Sequence, residues 1–225
     1  MIPKIAHFHW SQNGPPMSWL RWAGIRSFQK LNPDWQVRIN PTPPHIAGLG
    51  LLLAQEGDWT AYETLRDHGG FVVSSDAVFV KPVPDEWLDC DINCCRRGVQ
   101  AIYQMAMAGS VPGVEFWAAC AEKCASLVGG CDVRSSYQRL GTELLLELEH
   151  GIAGNRIYEQ PMEALCACDC TGFAHLWGAG EMALDPCAIG VHWFGGGIPS
   201  RDLEWTAGPD SGYRITDLAV RMGGR

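Results

Sequence analysis

From Ile2 to Trp10 the chain alternates, with Ile5, His7 and His9 on one side and Ala6, Phe8 and Trp10 on the other. That period of two predicts a first strand. Ser11 to Pro16 reads as a loop. From Met17 to Lys30 the spacing of Trp19, Leu20, Ala23, Ile25 and Phe28 changes to that of an amphipathic helix. Asn32-Pro33-Asp34 predicts a turn and Trp35 to Ile39 a second strand. Pro41-Thr42-Pro43-Pro44 breaks the chain before a helix near His45 to Gln55. A further helix is expected over Asp58 to His68, with Asp58 as its N-cap and Gly69 just past its end.

Phe71 to Val80 reads as strand, turn and strand. Helices are expected over Val114 to Leu127 and from Ser135 or Ser136 to His150, the second with Leu140, Leu144, Leu145 and Leu148 on one side. A short strand from Ala188 to Phe194 precedes Gly195-Gly196-Gly197, a loop or a lid joint. Strands alternating with helices predict an α/β layered fold. No internal repeat or low-complexity linker interrupts the 225 residues, which suit one domain.

Composition narrows the classes. The chain is 47% hydrophobic and 19% charged, as a soluble globular domain is. No apolar run reaches membrane-spanning length, and Met1 to Ile5 has no signal-peptide character. A cytoplasmic location is expected. A net charge of −8 disfavours nonspecific nucleic-acid binding. Arg96-Arg97, the only adjacent basic pair, reads as a solvated turn. Of ten cysteines none forms a CxxC pair, so buried free thiols are expected rather than a zinc cluster. Cys120 and Cys124 lie one helical turn apart. Cys166, Cys168 and Cys170 would share one face of a strand.

The most telling stretch is Gly69-Gly70-Phe71-Val72-Val73-Ser74-Ser75-Asp76, followed by Ala77 to Val80 and Lys81-Pro82. A Gly-Gly turn opens a buried strand that runs into a carboxylate. Such an Asp is costly to bury without a partner. A divalent cation carrying a phosphorylated ligand is one partner that fits.

Three stretches resemble the glycosyltransferase family 32-like enzymes, whose sugar-binding region carries a DXD motif. Ile2 to Trp10, with Asn32-Pro33-Asp34-Trp35 after it, is similar to the family's opening strand and turn. Asp58 to Pro82 is similar to its Asp-x-x-Arg-Tyr-x-x-Leu and Gly-Gly-hydrophobic-Tyr-hydrophobic-Asp-x-Asp segments; Asp58, Tyr62, Leu65, Gly69, Gly70 and Asp76 match. His192-Trp193-Phe194-Gly195 is similar to the C-terminal His-aromatic motif. The chain departs at Ser74, where the family has the first Asp of DXD, and at Ala61, where it has Arg. The family's C-terminal Ser-Trp is not visible after Gly196.

The resemblance implies a GT-A fold: a Rossmann-like, mixed, mostly parallel sheet flanked by helices. Residues 1–225 would form one domain, with a donor-binding half over 1–85 and an acceptor-side half with the C-terminal motif over 86–225. It implies transfer of a sugar from a UDP- or GDP-linked donor to an acceptor hydroxyl, with retention and assisted by Mn²⁺ or Mg²⁺. Asp76 and His192 would be metal ligands, and Asp76 and Asp58 catalytic. Phe8, His9, Trp10, Asp58, Tyr62, Gly69, Gly70, Ser74, Ser75 and Asp76 would line the donor site.

Other readings of these residues stay open. Trp10 could stack on the base or fill the core; Asp58 could bind sugar or cap a helix; His192 could bind metal or simply pack. His7 and His9 read as structural. The acceptor could be a glycan, a protein, a lipid headgroup or a modified DNA base. The loss of a carboxylate at Ser74 raises a second reading, a nucleotide-sugar or acceptor-binding protein without transfer.

Overall fold

A computed structural model describes residues 1–97, 102–130, 133, 136–165, 173–196 and 200–224, without the side chains of 96, 97, 102–105 and 173. Cys131, Ser135, Cys166, Cys168, Cys170 and Gly197 therefore lie outside the described residues. In chain order the elements begin with β1 (Ile5–Trp10), α1 (Trp19–Leu31), β2 (Gln36–Pro41), α2 (Pro44–Ala47), α3 (Leu53–His68), β3 (Gly70–Val73) and β4 (Ala77–Phe79). They continue with β5 (Ile92–Arg97), β6 (Ile102–Ser110), α4 (Glu115–Gly130), α5 (Thr142–Leu148), β7 (Ile157–Gln160), α6 (Phe173–Trp177), β8 (Gly190–His192), α7 (Ser200–Glu204) and α8 (Arg214–Gly223).

Two compact units share these elements. The first comprises Met1–Pro15, Gln36–Val73 and Pro84–Gln160. It holds a mixed six-stranded sheet in the order β2-β1-β3-β6-β5-β7. β1 pairs in parallel with both β2 and β3, and β5 with β7, while β6 runs antiparallel to β3 and β5. Val72 of β3 and Ala108 of β6 face a core filled from α3 by Tyr62 and Leu65, from α4 by Trp117 and Cys120, and from α5 by Leu144 and Leu145. The second unit comprises Pro16–Trp35, Ser74–Val83 and Pro161–Arg225. Its two-stranded antiparallel sheet β4-β8 packs into a core with Leu20 and Ala23 of α1, Trp177 of α6 and Ile215 and Leu218 of α8.

The Gly-Gly turn is required by space and by backbone. Gly69 and Gly70 have φ of 61° and 80°. A Cβ on Gly69 would meet Ser110 O at 2.7 Å, and one on Gly70 would meet Ile5 O at 2.6 Å. Only glycine makes that conformation cheaply. β3 can therefore leave α3 and enter beside β1.

Several expectations need correction. The helix near His45 to Gln55 is a single turn, α2, that stops at Gly48; Leu53 to Gln55 already belong to α3. α3 thus starts well before Asp58, which lies inside the helix and is no N-cap. Leu52 takes that place, its N–H donating to Gln55 Oε1 at 3.2 Å. The helix expected to run from Ser135 or Ser136 to His150 begins only at Thr142, after Gly141, and tightens into a 3₁₀ turn at Glu149–Ile152. Arg96 and Arg97 are no turn: they end β5, opposite Tyr103 and Ile102. The C-terminal strand is shorter than Ala188 to Phe194, because Phe194 has φ of 53° and leaves the extended region. No disulfide joins the described cysteines; Cys120 and Cys124 are buried as expected, and burial pushes both thiols up, Cys120 to about 12.

A polar seam runs between β1 and α3. Glu56, Thr60, Thr64 and His68 lie four residues apart on one helix face. Ser11 Oγ donates to Glu56 Oε2 at 2.8 Å, Thr64 Oγ1 is 3.5 Å from His9 Nε2, and His68 stacks on His7 at 6.1 Å. Asn40 of β2 lies 3.0 Å from His7 Nδ1. His7 Nε2 and His9 Nδ1 are buried with no hydrogen-bond partner among the described residues. Burial, then the charges of Arg38 and His68, push His7 down to about 4; burial, then His7, push His9 down to about 4. The unfolded chain takes up these protons near the ordinary 6.5, so stability is complete above that pH and falls toward pH 4. For His7 the loss is roughly 3 kcal/mol. Urea unfolding between pH 7 and 4 should show this decline, with a shallower slope in His7→Gln; equal stability across the window would mean the folded imidazoles are charged.

Candidate functional site

Strand pairing builds the site in the second unit. β4 and β8 pair antiparallel with Ala77 opposite His192, and the ladder extends one step as Trp193 N–H donates to Asp76 O at 3.0 Å. His192 is thereby brought beside Asp76, 116 residues earlier, and its Nε2 lies 2.9 Å from Asp76 Oδ1. After Trp193 the positive φ of Phe194 turns the chain back. Gly195 N–H then donates to Asp76 Oδ2 at 2.6 Å. The Ser74 hydroxyl donates to Asp76 Oδ1.

α1 supplies the cation. Gly24 brings the helix against β4, where a Cβ would meet Ala77 O at 2.3 Å. One turn earlier stands Arg21, beneath the Ser18 N-cap. Arg21 Nη1 donates to Ser75 Oγ at 2.7 Å. Its other arm grips Glu204 of α7: Nε donates to Oε1 at 2.5 Å and Nη2 to Oε2 at 2.9 Å. Glu204 also accepts from Ser18 Oγ at 2.7 Å and from Trp193 Nε1 at 3.2 Å. Its side chain is 1% exposed and that of Arg21 13%. A buried carboxylate that accepts four hydrogen bonds is fully compensated.

Burial alone would push the Asp76 carboxyl up. The charge and hydrogen bond of His192, the Arg21 guanidinium and the Ser74 hydroxyl outweigh it and hold the carboxyl well below the usual range. Asp76 is therefore a buried, ionised group on a fixed loop. For Nε2 of His192 to donate to it, that nitrogen must carry the proton. His192 Nδ1 is buried without a partner.

Of the residues expected to form a site, the structure joins Ser74, Ser75, Asp76 and His192. The others lie in the first unit. Phe8 is fully buried, and His9 belongs to the polar seam. Trp10, half-buried at the end of β1, donates Nε1–H to Pro15 O at 3.0 Å. Tyr62 is fully buried, its hydroxyl donating to Leu140 O at 2.8 Å. Asp58, pushed up to about 7 by burial, lies against the α-carbon of Gly141. Gly69 and Gly70 form the turn into β3.

Sequence reasoning missed Arg21, Ser18 and Glu204. The signal was present in Trp19-Leu20-Arg21-Trp22 and Leu203-Glu204-Trp205, where one charge sits among large apolar neighbours. Where such a charge is buried, it is almost always paired.

A resident divalent cation can be tested against the donors. His192 Nε2 and Asp76 Oδ1 lie 2.9 Å apart. Neighbouring ligands about 2.1 Å from one octahedral ion stand about 3 Å apart. The pair thus has the spacing of two adjacent ligands, provided Nε2 gives up the proton it shares with Asp76. No cluster of three or more His, Cys, Asp or Glu ligands exists among the described residues, so other ligands must come from bound substrate or water.

No family model and no curated protein matches the sequence. Among solved structures the chain is similar to one titled "PaToxG Glycosyltransferase", with 14% identity and a TM-score of 0.50 over 68% of this chain and 72% of that one. That likeness shows the fold alone, a mixed α/β architecture. No described helix is long and apolar enough to cross a membrane.

Gly195 is wedged between the charges: a Cβ would meet Arg21 Nη2 at 2.3 Å and Glu204 Oε2 at 2.6 Å. Gly195→Ala should lower stability by about 1–3 kcal/mol through overpacking. Thermal unfolding of the variant measures it, and an unchanged melting temperature would show that this loop relaxes freely.

Proposed function

We propose that the protein is a glycosyltransferase that moves a hexosyl unit from a UDP- or GDP-linked sugar to an acceptor hydroxyl, with retention at the anomeric carbon. The observation that carries the reading is Asp76: a carboxylate held ionised in a buried loop, directly after a Gly-Gly strand, in a chain with a glycosyltransferase fold. Departure of a sugar from a diphosphate needs chiefly stabilised negative charge.

In this reading Asp76 and His192 would hold Mn²⁺ or Mg²⁺ beside the donor diphosphate, and the chemistry supplied there would be Lewis-acid stabilisation of the departing phosphate. The protein's own part is preorganisation. Ser74, Gly195 and His192 fix both oxygens of Asp76 before the donor arrives. Arg21 adds a positive charge next to Ser75, and Glu204 keeps it in place. Trp10 is assigned to stack on the base, worth about 1–3 kcal/mol in comparable sites. The work lies in fixed charges that need no reorganisation during transfer.

A second reading is favoured by Ser74. The hydroxyl carries no charge where a second carboxylate would strengthen metal binding. The protein then binds a nucleotide sugar or an acceptor without transfer. Donor hydrolysis measured beside calorimetric binding of UDP, GDP and their sugars separates the two readings.

Asp76→Asn should abolish Mn²⁺-dependent donor binding; the amide keeps the size of the carboxylate but turns one acceptor oxygen into a donor, so thermal unfolding is measured beside binding to separate lost affinity from lost fold. Calorimetry with and without Mn²⁺ decides it; wild-type metal dependence in the variant removes Asp76 from the site. Ser74→Asp addresses the missing charge. With Ser74, metal and donor should bind with positive coupling of about 1–3 kcal/mol, since the diphosphate supplies the absent negative ligand. The variant should raise affinity for Mn²⁺ alone without raising turnover. Equal Mn²⁺ affinity in both proteins would show that residue 74 does not face the ion.

A further inference from the structure

We propose that Glu56, at the start of α3, receives the ribose cis-diol of the nucleotide. The inference rests on the nucleotide-sugar reading and deepens it by naming the residue that reads the ribose.

Topology comes first. β2, β1 and β3 are mutually parallel neighbours, so Pro41, Trp10 and Val73 end on one edge of the sheet. In open parallel sheets, ligands bind in the crevice outside that carboxyl edge. Glu56 is tied to this edge and to nothing else. Ser11, the first residue beyond β1, donates its hydroxyl to Oε2 at 2.8 Å. Thr42, the first residue beyond β2, donates to the same oxygen at 3.5 Å. Trp10, the residue assigned to the base, directly precedes Ser11.

The chemistry of Glu56 is unusual for a structural brace. It is 3% exposed, and its partners among the described residues are two neutral hydroxyls. No Lys or Arg reaches it within ion-pair distance among those residues. A carboxylate at that depth normally finds a cation or several N–H donors. Arg21 and Glu204 in the second unit show how this chain compensates a charge that serves only structure. At Glu56 one oxygen, Oε2, carries both hydroxyls, and Oε1 is left as an acceptor with two lone pairs. Two vicinal hydroxyls match one such oxygen. The acidic residue of dinucleotide-binding sheets takes the ribose hydroxyl in the same way at the same edge.

Two other occupants fit less well. A guanine base, offering N1–H and the N2 amino group in parallel, needs both carboxylate oxygens, and Oε2 already accepts two hydroxyls. A metal ion needs more ligands than one carboxylate, and no suitable cluster is present among the described residues.

The test measures sugar discrimination, which a merely structural Glu56 would not alter. UDP and GDP are titrated into the protein with Mn²⁺, beside their 2′-deoxy and 3′-deoxy counterparts, for wild type and Glu56→Gln. Hydrogen bonds to a charged group predict that wild type binds the ribonucleotide about ten-fold or more above either deoxy form. Glu56→Gln should lose about ten-fold in ribonucleotide affinity, with the ribo-to-deoxy ratio falling to within about three-fold. The wild-type comparison alone tests the idea if the variant does not fold. A wild-type ratio near one, or an unchanged ratio in Glu56→Gln, overturns the assignment while nucleotide binding stands. Absence of binding by either ribonucleotide to wild type overturns the nucleotide-sugar reading and this inference with it.

Discussion

Keeping one carboxylate charged away from water is the constraint on which the second unit is built. Asp76 has almost no solvent to stabilise it, and the cost of an uncompensated charge at that depth would exceed what a small domain can spare. Each neighbour answers that cost. His192 and Gly195 provide protons, so the chain must double back after β8. Arg21 provides charge, so α1 must lie on the β4 backbone, and only a glycine at position 24 allows the approach. Arg21 in turn needs a counter-charge, so Glu204 is buried with it. The packing of four separate segments thus follows from one ionised group.

The first unit handles buried polarity in the opposite way. Its seam between β1 and α3 contains imidazoles, hydroxyls and an amide, and the histidines are held neutral by burial rather than paired as ions. Neutral groups are cheaper to bury, but they leave unsatisfied nitrogens. One unit concentrates charge on a loop, where chemistry can use it. The other keeps its long seam uncharged and lets a single carboxylate stand at the sheet's open edge.

The parts legible in the sequence were those written in short-range pattern. β1, α1 and β3 show their periods plainly, and Gly69-Gly70 announces its turn because no other residue fits there. Asp76 stood out as a carboxylate at the end of an apolar run. The start of α3 was hidden, because Gly48 to Leu53 reads as a continuation of the helix before it and Asp58 imitates a cap. α5 was read as too long because Gly141 interrupts a regular leucine spacing. Glu204 and Arg21 were out of reach for a different reason: their partnership spans 183 residues, and no local period reports which distant charge a buried arginine meets.

That span also sets an order of events. During synthesis α1 and the loop carrying Asp76 emerge early, while Glu204 follows more than a hundred residues later. Until it arrives, Arg21 lacks the carboxylate that holds its Nε and Nη2. The surroundings of Asp76 are therefore complete only after α7 has joined α1. A ribosome-bound chain would carry the Asp76 loop with Arg21 not yet held by Glu204.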